Sequence, residues 1–229
     1  MAALAFPPLP REKIRTAIET LFAEAAIERA GIYIQISRGV APRDHAFPAD
    51  ADLQFLMILR QVHEKPAVLR EKGAAAITVT DIRWGRCDIK TIQLLPNVLA
   101  KQQALEAGAY DAIFVAETGE VREGTSSNLF IIKDQGLITH PLTPRILPGI
   151  TRSVLMELVK GHFEVELRDI QRDEISSMKE VFISASNKEI VPIIQINDTP
   201  IGDGQPGANT LKVMQLFKDY TTAYGQGKV

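Results

Sequence analysis

The chain has 229 residues, 45% hydrophobic and 24% charged, with a formal net charge of −2 and a pI near 6.1. That is long and apolar enough for one large or two small packed domains, which excludes global disorder, and the balanced charge argues against nucleic acid or anionic lipid as partners. A single cysteine, Cys87, excludes an internal disulfide or a Cys-rich zinc site, and no apolar run reaches the ~20 residues that span a bilayer. The apolar start, Met1 to Pro10, is broken by Pro7, Pro8 and Pro10 and lacks the basic residues and cleavage site of a signal peptide, so a soluble, cytoplasmic protein is expected.

Ile14, Ile18, Leu21, Phe22 and Ala25 recur at three- and four-residue spacing and predict one buried face of an amphipathic helix ending near Gly31. From Gly31 to Ser37, Ile32, Ile34 and Ile36 alternate with Tyr33, Gln35 and Ser37, as in a strand with one face on a core. Gly39 to Asp50 reads as a loop carrying Arg43 and His45, followed by a strand from Leu53 to Leu59. The polar stretch from Gln61 to Gly73 breaks the pattern. It divides the chain into a small α/β domain (1–63), a linker (64–72) and a large domain (73–229).

In the large domain the pattern predicts a strand near Ala76 to Ile82, a helix near Asn97 to Ala107 and a strand from Tyr110 to Val115. Thr118-Gly119 turns a hairpin into Val121 to Gly124, and Leu129 to Ile132 reads as a buried strand. Gly149-Ile150-Thr151 signals a helix start; strands follow near Phe163 to Leu167, Val181 to Ser184 and Val191 to Ile196, then a helix from Ala208 to Tyr220. Many strands with few helices and no repeat favour α+β over a doubly wound sheet.

Several chemistries are absent from the sequence. There is no G-x-G-x-x-G, Walker loop or H-E-x-x-H, and His45, His63, His140 and His162 lack metal-ligand spacing, so no metal is expected and the last three read as ordinary structural or surface residues. Ser126-Ser127 lacks the strand-to-helix elbow of a nucleophilic serine. Four segments carry a joint signal: Arg83-Trp84-Gly85-Arg86-Cys87-Asp88-Ile89-Lys90, Glu123-Gly124-Thr125-Ser126-Ser127-Asn128, Leu147-Pro148-Gly149-Ile150-Thr151-Arg152 and Phe182-Ile183-Ser184-Ala185-Ser186-Asn187-Lys188-Glu189. In this order they resemble the fold-type IV pyridoxal-phosphate enzymes, which include branched-chain aminotransferases, D-amino acid aminotransferases and aminodeoxychorismate lyases, over the chain from Ile14 to Tyr220.

The resemblance implies an α+β, two-domain fold of the D-amino acid aminotransferase kind, with pyridoxal 5'-phosphate as cofactor. It makes Lys90 the Schiff-base lysine and catalytic proton carrier, and Glu123 the carboxylate that keeps the pyridine nitrogen protonated. Ile150 and Thr151, opening a predicted helix, suit a dianionic phosphate through free N–H groups, the helix dipole and a hydroxyl. Ser186 is a second phosphate hydroxyl by resemblance, or a serine satisfying its own strand end. Leu147 packs against the cofactor ring by resemblance, or serves simply as core.

Arg43-Asp44-His45, before Phe47-Pro48, resembles the loop with which D-amino acid aminotransferases hold the substrate α-carboxylate, and a guanidinium fork beside an imidazole donor suits that anion. Tyr33 lines the same pocket in this reading. In that branch the loop reaches the partner's active site, which implies a homodimer. The expected activity is amino transfer from a D-amino acid such as D-alanine to a 2-oxo acid such as 2-oxoglutarate. Alternatives are a branched-chain L-amino acid aminotransferase, an aminodeoxychorismate lyase, or a truncated cofactor-binding protein with little turnover. Only 89 residues precede Lys90, several tens fewer than in that family, so the small domain is expected to be incomplete, lacking a carboxylate-trap tyrosine and a phosphate-clamping arginine. Both an internal start and a shortened form fit that expectation.

Overall fold

A computed structural model describes residues 2–49, 52–62, 67–134 and 136–228, which divide into two units, Met1–Glu64 and Lys65–Val229. The first unit holds a short 3-10 turn (Ala2–Leu4), helix α1 (Arg11–Ala25) and the antiparallel strands β1 (Ala30–Ser37) and β2 (Gln54–Gln61). Helix α1 stops earlier than the spacing suggests, because Ala26 takes a left-handed conformation with φ of 49°. Ile14, Ile18 and Leu21 are half-buried rather than buried, and Ile34 is as exposed as a surface residue. A two-stranded sheet with one helix on it has too little area to enclose a full apolar face, and none of this unit's described residues is buried.

The expected linker is not all linker. Residues 64–66, like His63, lie outside the described residues, but 67–72 form helix α2 (Ala67–Lys72), whose Leu69 packs on the core of the second unit. Ala, Val, Leu, Arg, Glu and Lys include several strong helix formers, and polarity alone hid the single apolar anchor.

Ten strands make up the sheet of the second unit among the described residues: β3 (Ala74–Thr80), β4 (Asp111–Val115), β5 (Glu120–Gly124), β6 (Asn128–Lys133), β7 (Gly136–Thr139), β8 (Glu164–Leu167), β9 (Ile170–Gln171), β10 (Glu180–Ala185), β11 (Glu189–Ile196) and β12 (Thr199–Pro200). With them come α3 (Leu95–Glu106), α4 (Ile150–Leu158) and α5 (Ala208–Gly225). Strands β7, β9 and β12 are too short to leave a periodic signal in the sequence. The pairing runs β6-β10-β11-β3-β4-β5, and β5 then pairs with β6, so six strands close on themselves. That closing contact is a single residue pair, Glu123 with Asn128.

Closure explains the apolar strands. Leu129 and Ile131 of β6, Val181 and Ile183 of β10, and Val191 and Ile193 of β11 share one cluster with alternate residues of β3, β4 and β5. Their neighbours Phe130, Ile132, Phe182 and Ile190 join a second cluster with Leu155 and Val159 at α4 and Val213 and Phe217 of α5. Phe114 and Ala112 pack instead with Ala100 and Ala104 of α3. Side chains that alternate across a strand thus meet apolar partners on both faces, inside the ring and under the helices. The Phe130 and Phe182 rings stack in parallel with centroids 4.8 Å apart, both fully buried. Phe182→Ala should lower unfolding free energy by about 3–5 kcal/mol in a urea titration, the cost of emptying such a site.

Candidate active site

Parallel strands cannot be joined by a tight turn, and β3 and β4 are parallel neighbours. The chain therefore crosses over from Thr80 to Asp111, and this crossover carries residues 81–94 and α3 along one wall of a cavity of about 890 Å³. Lys90 lies on it, exposed to the cavity. The turn after β5 supplies Glu123 through Asn128, the segment before α4 supplies Leu147 through Thr151, and the end of β10 supplies Ser184 through Lys188. All six residues that the sequence assigned to the cofactor, Lys90, Glu123, Leu147, Ile150, Thr151 and Ser186, line this one cavity.

Glu123 is 4% exposed and is held by three donors. Arg83 Nη1 reaches Oε1 at 2.5 Å, Asn128 Nδ2 reaches Oε2 at 3.1 Å, and the Leu147 N–H is shared between the two oxygens at 3.2 and 3.1 Å. Asn128 also donates to the Leu147 carbonyl at 2.8 Å, which ties the residue at the ring's seam to the segment before α4. A carboxylate accepts about four hydrogen bonds, so one acceptor position of Glu123 is left toward the cavity. Burial pushes the Glu123 carboxyl above its ordinary range, and the charge and hydrogen bond of Arg83 offset only part of that rise.

Arg83 is itself buried, and its guanidinium grips Asp81 with two bonds of 2.9 Å while lying 4.2 Å over the Phe114 ring. Arg122 Nη1 meets the same Asp81 at 2.7 Å, so two acids and two arginines balance one another under the cavity floor. Burial alone would raise the Asp81 carboxyl, but Arg83 and Arg122 hold it below its ordinary value. Neither Arg83 nor Asp81 was given a role by sequence reasoning; the only available signal was their place in the segment leading to Lys90.

Helix α4 begins at Gly149 with no side-chain cap among the described residues, which leaves its first-turn N–H groups open next to the buried Thr151. A Cβ on Gly149 would collide with the Asn128 side-chain oxygen. Ser184, also at the cavity, is 1% exposed and its hydroxyl has no partner among the described residues. Tyr33, Arg43 and His45 belong to the first unit. There Tyr33 is exposed and donates to Gln35 Oε1 at 2.8 Å, and Arg43 and His45 stand exposed on the loop after β1. Outside the cavity, His140 is buried with Nδ1 2.7 Å from the Pro141 carbonyl and Nε2 2.6 Å from Glu120 and 3.4 Å from Asp169. This three-residue grouping escapes sequence reading because its members come from β5, the end of β7 and the turn before β9.

Residues 1–196 match the family described as amino-transferase class IV. The chain belongs to that family. Class IV aminotransferases use pyridoxal phosphate. The chain is 40% identical over 190 residues to the D-alanine aminotransferase of Bacillus licheniformis, a match covering 82% of this chain and 66% of that enzyme. It is 38% identical over 213 residues to the D-alanine aminotransferase of Staphylococcus haemolyticus, covering 91% of this chain and 74% of the other. Among solved structures, a branched-chain amino acid aminotransferase with pyridoxamine 5'-phosphate, from a source abbreviated T.th., superposes with a TM-score of 0.85 at 23% identity, over 97% of this chain and 73% of that one. The α+β, fold-type IV expectation is thereby met. No helix among the described residues is long and apolar enough to cross a membrane.

Asp81 should be essential to this arrangement. Asp81→Asn strands Arg83 and Arg122 without their shared carboxylate and should cost about 3–5 kcal/mol at neutral pH, measured by denaturant unfolding. Because the folded Asp81 value is depressed, its contribution is present above the unfolded value near 3.8 and is lost as pH falls through the lower folded value. The Asn variant should therefore show a shallower loss of stability below pH 4 than the parent.

Proposed function

We propose that this chain carries pyridoxal-phosphate-dependent transamination of D-amino acids, passing the amino group of a donor such as D-alanine to a 2-oxo acid such as 2-oxoglutarate. The observation that carries the reading is the cavity in which an exposed lysine, a buried carboxylate with one open acceptor position and an uncapped helix N-terminus converge. The donor set fits the cofactor. The α4 N-terminus, Thr151 and Ser186 suit the phosphate, Leu147 the ring face and Glu123 the pyridine N–H, and the orphaned Ser184 hydroxyl is the kind of group a bound polar ligand satisfies. When bound, the cofactor supplies an electron sink for the bond broken at the substrate Cα.

The residues divide the remaining work. Lys90 supplies the amine that holds the cofactor and then carries the proton from the substrate Cα. Glu123, kept near the ionised state against its burial by Arg83, pairs with a protonated pyridine nitrogen and holds that proton in place. The Asn128 and Leu147 bonds fix the carboxylate, so no reorientation is needed when the ring binds. Arg43 and His45, with Tyr33, take the substrate α-carboxylate, across the interface of a homodimer. Support for D-amino acids comes from relatives at 38–40% identity named D-alanine aminotransferases. The fold alone is shared with branched-chain enzymes, which makes L-leucine the comparison substrate.

Mixing the protein with pyridoxal phosphate and adding D-alanine should shift the visible absorbance toward the pyridoxamine form, and L-leucine should do so far more slowly; the reverse order, or release of pyruvate from aminodeoxychorismate, would refute the reading. Lys90→Ala should abolish the lysine-bound absorbance and cut amino transfer by about four orders of magnitude, with Glu123→Gln costing about 10²–10⁴-fold. For Arg43→Ala the expected loss is about 2–4 kcal/mol in substrate affinity with cofactor retention unchanged, as measured by half-reaction saturation and by dialysis.

A further inference from the structure

Asp111 opens β4 with a fully buried carboxyl that is already saturated. Thr125 Oγ1 and the Ala112 N–H, the latter at 3.1 Å, meet Oδ1, while Ser127 Oγ at 3.2 Å and Lys188 Nζ at 3.1 Å meet Oδ2. Four donors fill the roughly four acceptor positions of a carboxylate, and one cation neutralises it. A second cation is nevertheless present. Lys101 of α3 stands 3.9 Å from Asp111 Oδ1, beyond hydrogen-bond reach, and donates instead to the Tyr110 carbonyl. Both ammonium groups lie over the Tyr110 ring, at 4.8 Å for Lys101 and 5.2 Å for Lys188.

Among the described residues neither lysine meets any other carboxylate, so two positive charges face one negative charge. Burial and the repulsion of Lys188 hold the Lys101 ammonium below its ordinary pKa against the pull of Asp111, which is the cost of keeping the extra cation there. Each ammonium has three donors and spends one, leaving about four N–H bonds uncommitted. Both side chains line the cavity that also holds Lys90 and Glu123, and they are 32% and 20% exposed, open enough to meet a ligand and dry enough for charge to count.

We propose that Lys101 and Lys188 form an anion subsite that takes the second carboxylate of a dicarboxylic 2-oxo acid or amino acid. Two ammonium groups over one aromatic face match the two oxygens of a carboxylate, whereas a monocarboxylic substrate such as pyruvate has only the carboxylate held elsewhere. The identity of the dicarboxylate as a substrate rests on the aminotransferase reading; the anion subsite does not.

The test uses the full chain loaded with pyridoxal phosphate and three probes in calorimetric titrations: glutarate, butyrate and inorganic phosphate. Glutarate should bind at least about tenfold more tightly than butyrate, as a desolvated charge pair allows. That ratio should fall toward one in Lys101→Met and persist in Lys101→Arg. Lys188→Met should act in the same direction, but it also strips Asp111 of its ion pair, so Lys101→Met decides if the Lys188 variant does not fold. A glutarate-to-butyrate ratio near one in the parent overturns the proposal, as does an unchanged ratio in Lys101→Met. Phosphate that binds while excluding glutarate overturns it in favour of a phosphate site. In half-reactions, the kcat/KM ratio of 2-oxoglutarate over pyruvate should fall in Lys101→Met by a similar factor. Lys101-dependent glutarate binding without any amino transfer would leave the subsite standing and defeat the aminotransferase reading alone.

Discussion

The buried ionic cluster of Asp81, Arg83, Arg122 and Glu123 is the constraint on which the rest of the site depends. Charged groups this far from water persist only when paired and hydrogen-bonded. Glu123 would drift toward the neutral acid if burial acted alone, and Arg83 is the group that opposes it. Arg83 in turn is fixed by Asp81, whose second oxygen is fixed by Arg122. Removing any member exposes the others to the full cost of desolvation, so the cluster must be assembled as a unit.

That cluster sits where the sheet closes. Glu123 and Asn128 are the single residue pair through which β5 meets β6, and their side chains bond to each other as well. Asn128 also reaches the backbone before α4, and Gly149 leaves the space it needs. One short stretch therefore closes the ring, sets the carboxylate and positions the helix N-terminus. The crossover between β3 and β4 completes the cavity, because parallel pairing forces the chain to travel around the ring's outside and brings Lys90 and α3 with it.

The cavity is electrically uneven. Its floor beneath Glu123 is charge-balanced, its α4 end offers uncapped N–H groups, and the wall at Lys101 and Lys188 carries one positive charge more than Asp111 cancels. A ligand with negative groups at separate points would be held in one orientation by such a distribution, and electrostatics of this kind governs orientation more than raw affinity.

Much of the chemistry was legible in the residues themselves. Periodicity gave the helices and long strands, because burying one stripe or one face leaves a regular mark, and the motifs around Lys90, Glu123, Ile150-Thr151 and Ser186 carried their chemistry in residue type and order. Short strands such as β7, β9 and β12 left no mark, and Leu69 was lost in a polar stretch that proved to be helix α2. The partnership of Asp81 with Arg83 and Arg122, the shared ring of Tyr110 beneath Lys101 and Lys188, and the orphaned Ser184 hydroxyl involve residues up to tens of positions apart. Sequence determined which groups were available and which elements would carry them. Only the closed sheet decided which met, because strand pairing and the crossover set distances that no local spacing encodes.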